Sequence, residues 1–385
     1  MTATAPIRPL QLAVSQRELD DLRDRLRRTR WPAAETVGPR DGVVDWSQGT
    51  PRSYLQDLAR YWSENYDWRR LETELNAHGQ ALTEVDGLDI HFLHVRSARP
   101  DAQPLVLTHG WPSSVIEPLE VMDDLAAPAS DDQPAFHVVA PSLPGFGFSG
   151  KPATTGWTVA RTAGAWATLM ERLDYERFFA AGGDWGGRVT TALASRYPAR
   201  VSGIHTFTPY LDDVPSDTST LTDVESRWVA GTHSFWNTGG GYSLEHSTRP
   251  QTIGYSLVDS PIGLLAWILD KFASWTDWRD NVEQAINRDR LLDTVTLYWL
   301  TATGASSARF YWQNFPPQDA EPVPVPAGIT VFPADIEKLP RQWVETRFRQ
   351  LRYWQVAERG GHFPMLEVPG SYVDEIRSAL KPMMT

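Results

Sequence analysis

Residues 180–187 read AAGGDWGG, and they close the longer run RFFAAGGDWGG at 177–187. An apolar stretch runs into four glycines grouped around one charged centre, Asp184, and a helix-like stretch continues to about Tyr197. That is the pattern of a strand turning sharply into a helix. Such a turn needs small neighbours, because the backbone of the central residue is strained. The centre often holds a nucleophilic serine; here it holds a carboxylate. The N-terminus of the following helix favours negative charge at this position, so an ordinary helix cap is the plain alternative to a nucleophile.

Outward from this turn, strand and helix patterns alternate. PLVLTHGWP (104–112) and AFHVVAPSLPGFG (135–147) are apolar runs ending in Gly and Pro, TVARTAGAWATLMERL (158–173) is helix-like, and VSGIHTFTP (201–209) is a further strand. The alternation stops over about 210–318, which is rich in Trp, Tyr and helical patterns. It resumes with GITVFPAD (328–335), LRYWQVAERGGH (351–362) and a helix from about Pro369. This order predicts a mostly parallel sheet covered by helices on both faces. The domain reading is an α/β core over 77–209 and 319–385, interrupted by a helical lid over 210–318. The proline-rich PPQDAEPVPVPAG (316–328) is the linker returning from it.

Upstream, SQRELDDLRDRLRRTRWP (15–32) opens with a capping box, Ser15 and Glu18, and puts Leu19, Leu22 and Leu26 on one helical face. RSYLQDLARYWSENYDWRRLETELN (52–76) repeats the pattern with Leu55, Leu58 and Trp62. Residues 1–76 therefore read as a helical, amphipathic segment that must wrap something larger. In QALTEVDGLDIHFLHVRS (80–97) two alternating runs flank Asp86-Gly87, a hairpin signal.

The chain has 385 residues, a formal net charge of −12 and no cysteine. Disulfides, thiolate metal sites and cysteine nucleophiles are excluded, and the acidic balance argues against nucleic acid or an anionic membrane as partner. The start MTATAPIRPL has no charged-then-apolar pattern, and the most apolar stretch, PIGLLAWIL (261–269), is too short to span a bilayer. A soluble, cytoplasmic protein is the expectation. Only four of 36 basic residues are Lys, which suits a GC-rich bacterial source, and seventeen Trp suggest an aromatic-lined pocket. His91 and His94 face opposite sides of a strand, and TGGGY (238–242) lacks the Lys-Ser/Thr of a phosphate loop.

In an open parallel sheet, ligands bind beyond the carboxyl ends of the strands. HGWP (109–112), Asp184, Asp335 and His362 all fall there, with Glu337 a competitor for the place of Asp335. Nucleophile, acid, histidine is the chain order of the α/β-hydrolases. The carboxylate nucleophile then narrows the chemistry. A serine attacking a saturated carbon would give an ether that activated water cannot cleave. An aspartate gives an ester, which water opens at the Asp carbonyl carbon. The substrate class is an epoxide or an alkyl halide.

At these residues the sequence resembles the epoxide hydrolases of the microsomal type, within the α/β-hydrolase superfamily. LRDRLRRTRWP, YWSENYDWRRLETELN and GLDIHFLHVRS look like that family's N-terminal region. HGWP, GGDWGG, GYSLEHSTRPQTIGYSLVDSPIGLLAWILDKF, RFYWQN, FPAD and RGGHFP look like its catalytic and lid motifs. The resemblance implies an α/β-hydrolase fold with lid and wrapping segment, and two lid tyrosines, Tyr242 and Tyr311, that hold the epoxide oxygen; without it Tyr210, Tyr255 and Tyr298 would compete. Asp184 would be the nucleophile, His362 the base and Asp335 its partner, with the backbone N–H groups of Trp111 and Trp185 as oxyanion hole. Trp111, Trp185, Tyr242 and Tyr311 would also line the substrate site.

No cofactor or metal is expected. The partners are an epoxide and water, with a homo-oligomer open. Human-type microsomal members carry an N-terminal membrane anchor, which is not expected here. A bulky or aromatic epoxide, met in detoxification or in antibiotic biosynthesis of the enediyne type, is the expected substrate. The rivals are a haloalkane dehalogenase using the same aspartate, and a non-catalytic binder on the same fold.

Overall fold

The computed structural model describes residues 5–39, 43–211, 214–317 and 321–384. Its sheet starts from a hairpin. Asp86 and Gly87 take positive φ, 51° and 78°, the pairing that lets a two-residue turn follow the strand twist. They join β2 (Ala81–Val85) to β3 (Leu88–Val95) in antiparallel register, Val85 opposite Leu88. Arg8–Pro9 adds a short edge strand, β1, to β2. The remaining strands are β4 (Gln103–Thr108), β5 (Phe136–Pro141), β6 (Phe178–Gly182), β7 (Val201–Thr206), β8 (Ala327–Val331) and β9 (Leu351–Val356). The order is β1-β2-β3-β5-β4-β6-β7-β8-β9, parallel from β5 to β9. β6 and β8 are buried at every residue, which is why they read as unbroken apolar or small runs.

The N-terminal helices are α1 (Gln16–Arg27), α2 (Arg52–Glu64) and α3 (Trp68–Ala77). The expected helical segment over 1–76 is three helices with non-helical stretches between: β1 joins the sheet and residues 28–39 and 43–51 hold no helix. The pattern over 52–76 is two helices, because the Asp67 side chain accepts from Arg69 N–H and starts α3 afresh. Around the sheet lie α4 (Ile116–Leu119), α5 (Met122–Ala126), α6 (Val159–Arg172) and α7 (Trp185–Arg196).

Between β7 and β8 the chain is helical: α8 (Asp223–Thr238), α9 (Gly241–Thr248), α10 (Pro250–Asp259), α11 (Pro261–Trp275), α12 (Arg288–Leu300) and α13 (Gly304–Asn314). Residues 318–320 of the expected linker lie outside the described residues. α14 (Arg341–Arg347), α15 (Pro364–Glu367) and α16 (Pro369–Leu380) complete the fold. The N-terminal helices pack on the insertion, α1 and α2 against α11 and α3 against α12. Among the described residues no single helix is long and apolar enough to cross a membrane. α10 and α11 pass that test only together, and the chain bends by 115° between them.

Candidate active site

Asp184 leaves β6 with φ 53° and ψ −130°. A non-glycine residue held at positive φ stores strain, and such strain concentrates at functional sites. The glycines explain how the turn is reached. A Cβ on Gly183 would lie 1.9 Å from the ring of Phe207, and one on Gly186 would lie 2.0 Å from the carbonyl of Thr108. The Asp184 N–H donates to Thr208 Oγ1 at 2.8 Å, which pins the turn to the end of β7. One carboxylate oxygen, Oδ1, accepts the Trp111 N–H at 2.7 Å from the HGWP loop after β4. The other, Oδ2, faces His362 Nε2 at 3.6 Å. The Trp185 N–H, also expected at the oxyanion, makes no hydrogen bond to the carboxylate here.

His362 and Asp335 come from the loops after β9 and β8. Their side chains are 2% and 1% exposed, and Nδ1 meets Asp335 Oδ1 at 2.8 Å. Asp335 Oδ1 also accepts the Ile336 N–H at 2.7 Å. Burial disfavours charge on the imidazole, but Asp335 on one side and Asp184 on the other outweigh it and hold its pKa well above the usual histidine range. Glu337, the competitor, instead accepts the Trp236 indole N–H at 2.8 Å. The buried Glu117 lies in the same field; desolvation pushes its carboxyl up to about 8.

An aromatic roof covers Asp184. Tyr242, on α9, stacks on Trp111 with centroids 5.0 Å apart and planes 8° apart. Tyr311, on α13, stands edge-on to Trp111 at 5.8 Å, to Trp185 at 4.8 Å and to Tyr242 at 5.9 Å. The Tyr311 hydroxyl and the Trp185 indole N–H are buried and make no well-formed hydrogen bond, though the hydroxyl interacts with that indole and with Tyr242. Burial raises the pKa of both tyrosines, aided at Tyr242 by the Asp184 charge and at Tyr311 by Tyr242 and then Asp184, so both keep their protons at neutral pH. Of the competing tyrosines, Tyr298 donates to the Ser113 carbonyl at 2.9 Å and Tyr255 is 71% exposed. Tyr210 does line the chamber, its ring 4.0 Å from the Arg188 guanidinium.

The chamber over Asp184 encloses about 30 Å³, bounded by Trp185, Tyr242, Tyr311, Phe315 and Ile336. Arg188, Tyr210, Trp236 and Glu337 divide it from a second cavity of about 140 Å³, whose other walls include Val214, Val229, Leu339 and Trp343. Sequence reasoning missed Thr208, Arg188 and Trp236 as site neighbours, and nothing in their local sequence marks them. Among the described residues no group of three or more His, Asp or Glu side chains is placed to hold a metal ion.

Comparison with known proteins gives the family. The family model described as "Epoxide hydrolase N terminus" matches residues 7–118, and the one for the alpha/beta hydrolase fold matches 103–238. A Stigmatella aurantiaca protein that carries the epoxide hydrolase name provisionally is 46% identical, over 98% of this chain and 85% of its own. Epoxide hydrolase 1 of Sus scrofa is 32% identical, over 96% of this chain and 88% of its own. The crystal structure of juvenile hormone epoxide hydrolase from the silkworm Bombyx mori superposes with a TM-score of 0.90 at 28% identity, covering 98% of this chain and 95% of that one. With a polar dyad, a strained carboxylate and relatives of this kind along nearly its whole length, the chain belongs to the epoxide hydrolase family, hydrolases of the α/β-hydrolase fold that act on ether bonds.

Proposed function

We propose that the chain opens its epoxide through an ester on Asp184. The observation that carries this reading is the division of labour between the two carboxylate oxygens. Oδ1 is tethered to the Trp111 N–H, and Oδ2 is free of hydrogen bonds on the side of His362 and the tyrosines. Oδ2 attacks a ring carbon in line. The carbon–oxygen bond of the epoxide breaks, its electron pair moves to the ring oxygen, and that oxygen takes a proton from Tyr242 or Tyr311.

Esterification removes one of the two anions that keep His362 protonated. Its ring then releases that proton to solvent and becomes a base. It takes a proton from water, and the water oxygen adds to Cγ of Asp184. The oxyanion forms on Oδ1, where the Trp111 N–H already points; the Trp185 N–H would join it as the carboxyl carbon becomes tetrahedral. Collapse breaks the Cγ–Oδ2 bond, the departing alkoxide takes the proton of the added hydroxyl, and the tyrosinate regains a proton from solvent. Epoxide plus water becomes vicinal diol. Asp335 holds the ring of His362 in place through Nδ1.

The substrate is an epoxide bearing an apolar or aromatic substituent. A space of about 30 Å³ holds one or two waters, so the substituent extends past Arg188, Tyr210, Trp236 and Glu337 into the larger cavity, whose walls are mostly apolar. A single turnover in ¹⁸O-labelled water tests the ester. The first diol should carry unlabelled oxygen from Asp184, and Asp184→Ala should form none. Labelled oxygen in the first diol would mean direct attack by water. Halide release from a chloroalkane without epoxide turnover would favour dehalogenation instead.

A further inference from the structure

Five residues beyond His362, in GGHFPMLEVP (360–369), stands Glu367 at the end of α15. Its carboxylate does not touch the imidazole. It accepts three backbone N–H groups instead. Oε1 takes that of Phe363 at 2.9 Å, and Oε2 takes those of Gly361 at 3.0 Å and Asp277 at 2.8 Å. Two of these donors flank His362 in sequence. The third lies just beyond the C-terminal end of α11, in the insertion. His362 spends its own N–H on the Trp275 carbonyl, at 2.8 Å.

Three consecutive amides of the histidine loop, 361 to 363, are thus held from outside the loop, and every holder is either Glu367 or the end of α11. Trp275 extends the connection to the reacting groups. Its ring lies 5.0 Å from that of His362 and 5.1 Å from that of Tyr242. One carboxylate therefore joins the element carrying the base to the element that packs on a tyrosine over Asp184.

The chemistry requires a carboxylate rather than any polar group. Both oxygens act as acceptors, and a carboxamide would turn one of them into a donor facing a backbone donor. Gly361 and Phe363 are buried, so an amide left unpaired there is costly and the loop would shift to relieve it. The 3.6 Å between His362 Nε2 and Asp184 Oδ2 fixes how far the base stands from the carboxyl that water would attack, and it holds only while the loop stays where it is.

We propose that Glu367 is a positioning residue for ester hydrolysis: by clamping the amides of Gly361, Phe363 and Asp277 it docks the histidine loop on the insertion and sets the reach of Nε2 toward the water that attacks the ester. This rests on the reading of His362 as that water's base. Ring opening uses Asp184 and the tyrosines and is expected to tolerate a displaced imidazole. Hydrolysis is not, since a misplacement of about 1 Å can cost on the order of 100-fold.

The test follows both steps with styrene oxide, by rapid quench and intact-protein mass spectrometry, in wild type, Glu367→Gln, Glu367→Ala and His362→Gln. In both Glu367 variants the ester should form within roughly threefold of the wild-type rate, which also reports that they fold. Its hydrolysis should slow by about 10- to 100-fold, so that ester accumulates and kcat and KM fall together. His362→Gln should accumulate ester more completely. Ester in His362→Gln with wild-type hydrolysis in both Glu367 variants would overturn the role of Glu367 and leave the base assignment standing. Equal slowing of both steps would reduce Glu367 to general structure. No ester in any variant would remove the underlying mechanism, and the proposal with it.

Discussion

The helical insertion has two faces, and they handle polar groups in opposite ways. Toward the N-terminal helices, polar groups find partners. Trp62 Nε1 donates to Thr296 Oγ1 at 2.9 Å, Tyr66 to Asp293 at 2.7 Å and Tyr61 to Asp289 at 3.0 Å. Asp293, wholly buried, also takes Arg70 at 2.6 Å and Arg290 at 3.1 Å, while Arg290 reaches Glu74 at 2.5 Å. Toward Asp184, the same insertion presents a wall of rings and gives the Tyr311 hydroxyl no well-formed hydrogen bond, only the neighbouring Trp185 and Tyr242 rings. An unsatisfied buried donor costs about 1–3 kcal/mol, and native structures carry few of them. The first face is closed by its own hydrogen bonds. The second leaves a buried hydroxyl with no well-formed bond inside the protein.

That contrast sets the expected responses. The largest belongs to the open face. Tyr242→Phe and Tyr311→Phe should each slow ester formation by about 100-fold or more, and the double variant should nearly stop it, as read by pre-steady-state quench. Unaltered alkylation in both single variants would erase the distinction between the faces. On the closed face, Asp293→Ala removes the buried acceptor shared by Tyr66, Arg70 and Arg290, although both arginines keep Glu74, and should cost about 1–3 kcal/mol of stability, measured by denaturant unfolding. The folded fraction should alkylate within a few fold of wild type, and a folded Asp293→Ala enzyme unable to form the ester would show that the faces act as one.

A titration separates them further. In Asp184→Asn the His362 pKa, followed by NMR, should fall, because one of the two carboxylates favouring the imidazolium is gone; an unchanged value would deny that esterification turns this ring into a base. The smallest effect is expected for Trp62→Phe, which loses one buried hydrogen bond, about 1 kcal/mol, and should leave turnover untouched.

Much of the site was legible because its signals are local. The glycines at 182, 183, 186 and 187 announce a turn whatever surrounds it, and strand ends followed by HGWP, FPAD and GGH mark where the chain leaves the sheet. The helical break at Asp67 and the edge strand at Arg8–Pro9 were not legible in the same way. One depends on a single capping hydrogen bond inside a continuous apolar pattern, the other on pairing with Leu82 and Ala81 far along the chain. The family resemblance favours Asp335 over Glu337, but the local sequence does not separate them. The two are two residues apart at the same strand end, and only the folded loop turns one carboxylate toward His362 and the other toward Trp236.

What the amino-acid order decided by itself is the sheet and the sharp turn at Asp184, since these follow from neighbours a few residues apart; the ester chemistry proposed for that carboxylate rests on the kind of bond it can make and release. The family resemblance names Tyr242, Tyr311 and Trp111; tertiary structure alone decided that Thr208 pins the Asp184 turn and that Glu367 and Trp275 hold the histidine loop. Those contacts join segments distant in sequence, or depend on which way a loop turns, and no short-range pattern records either.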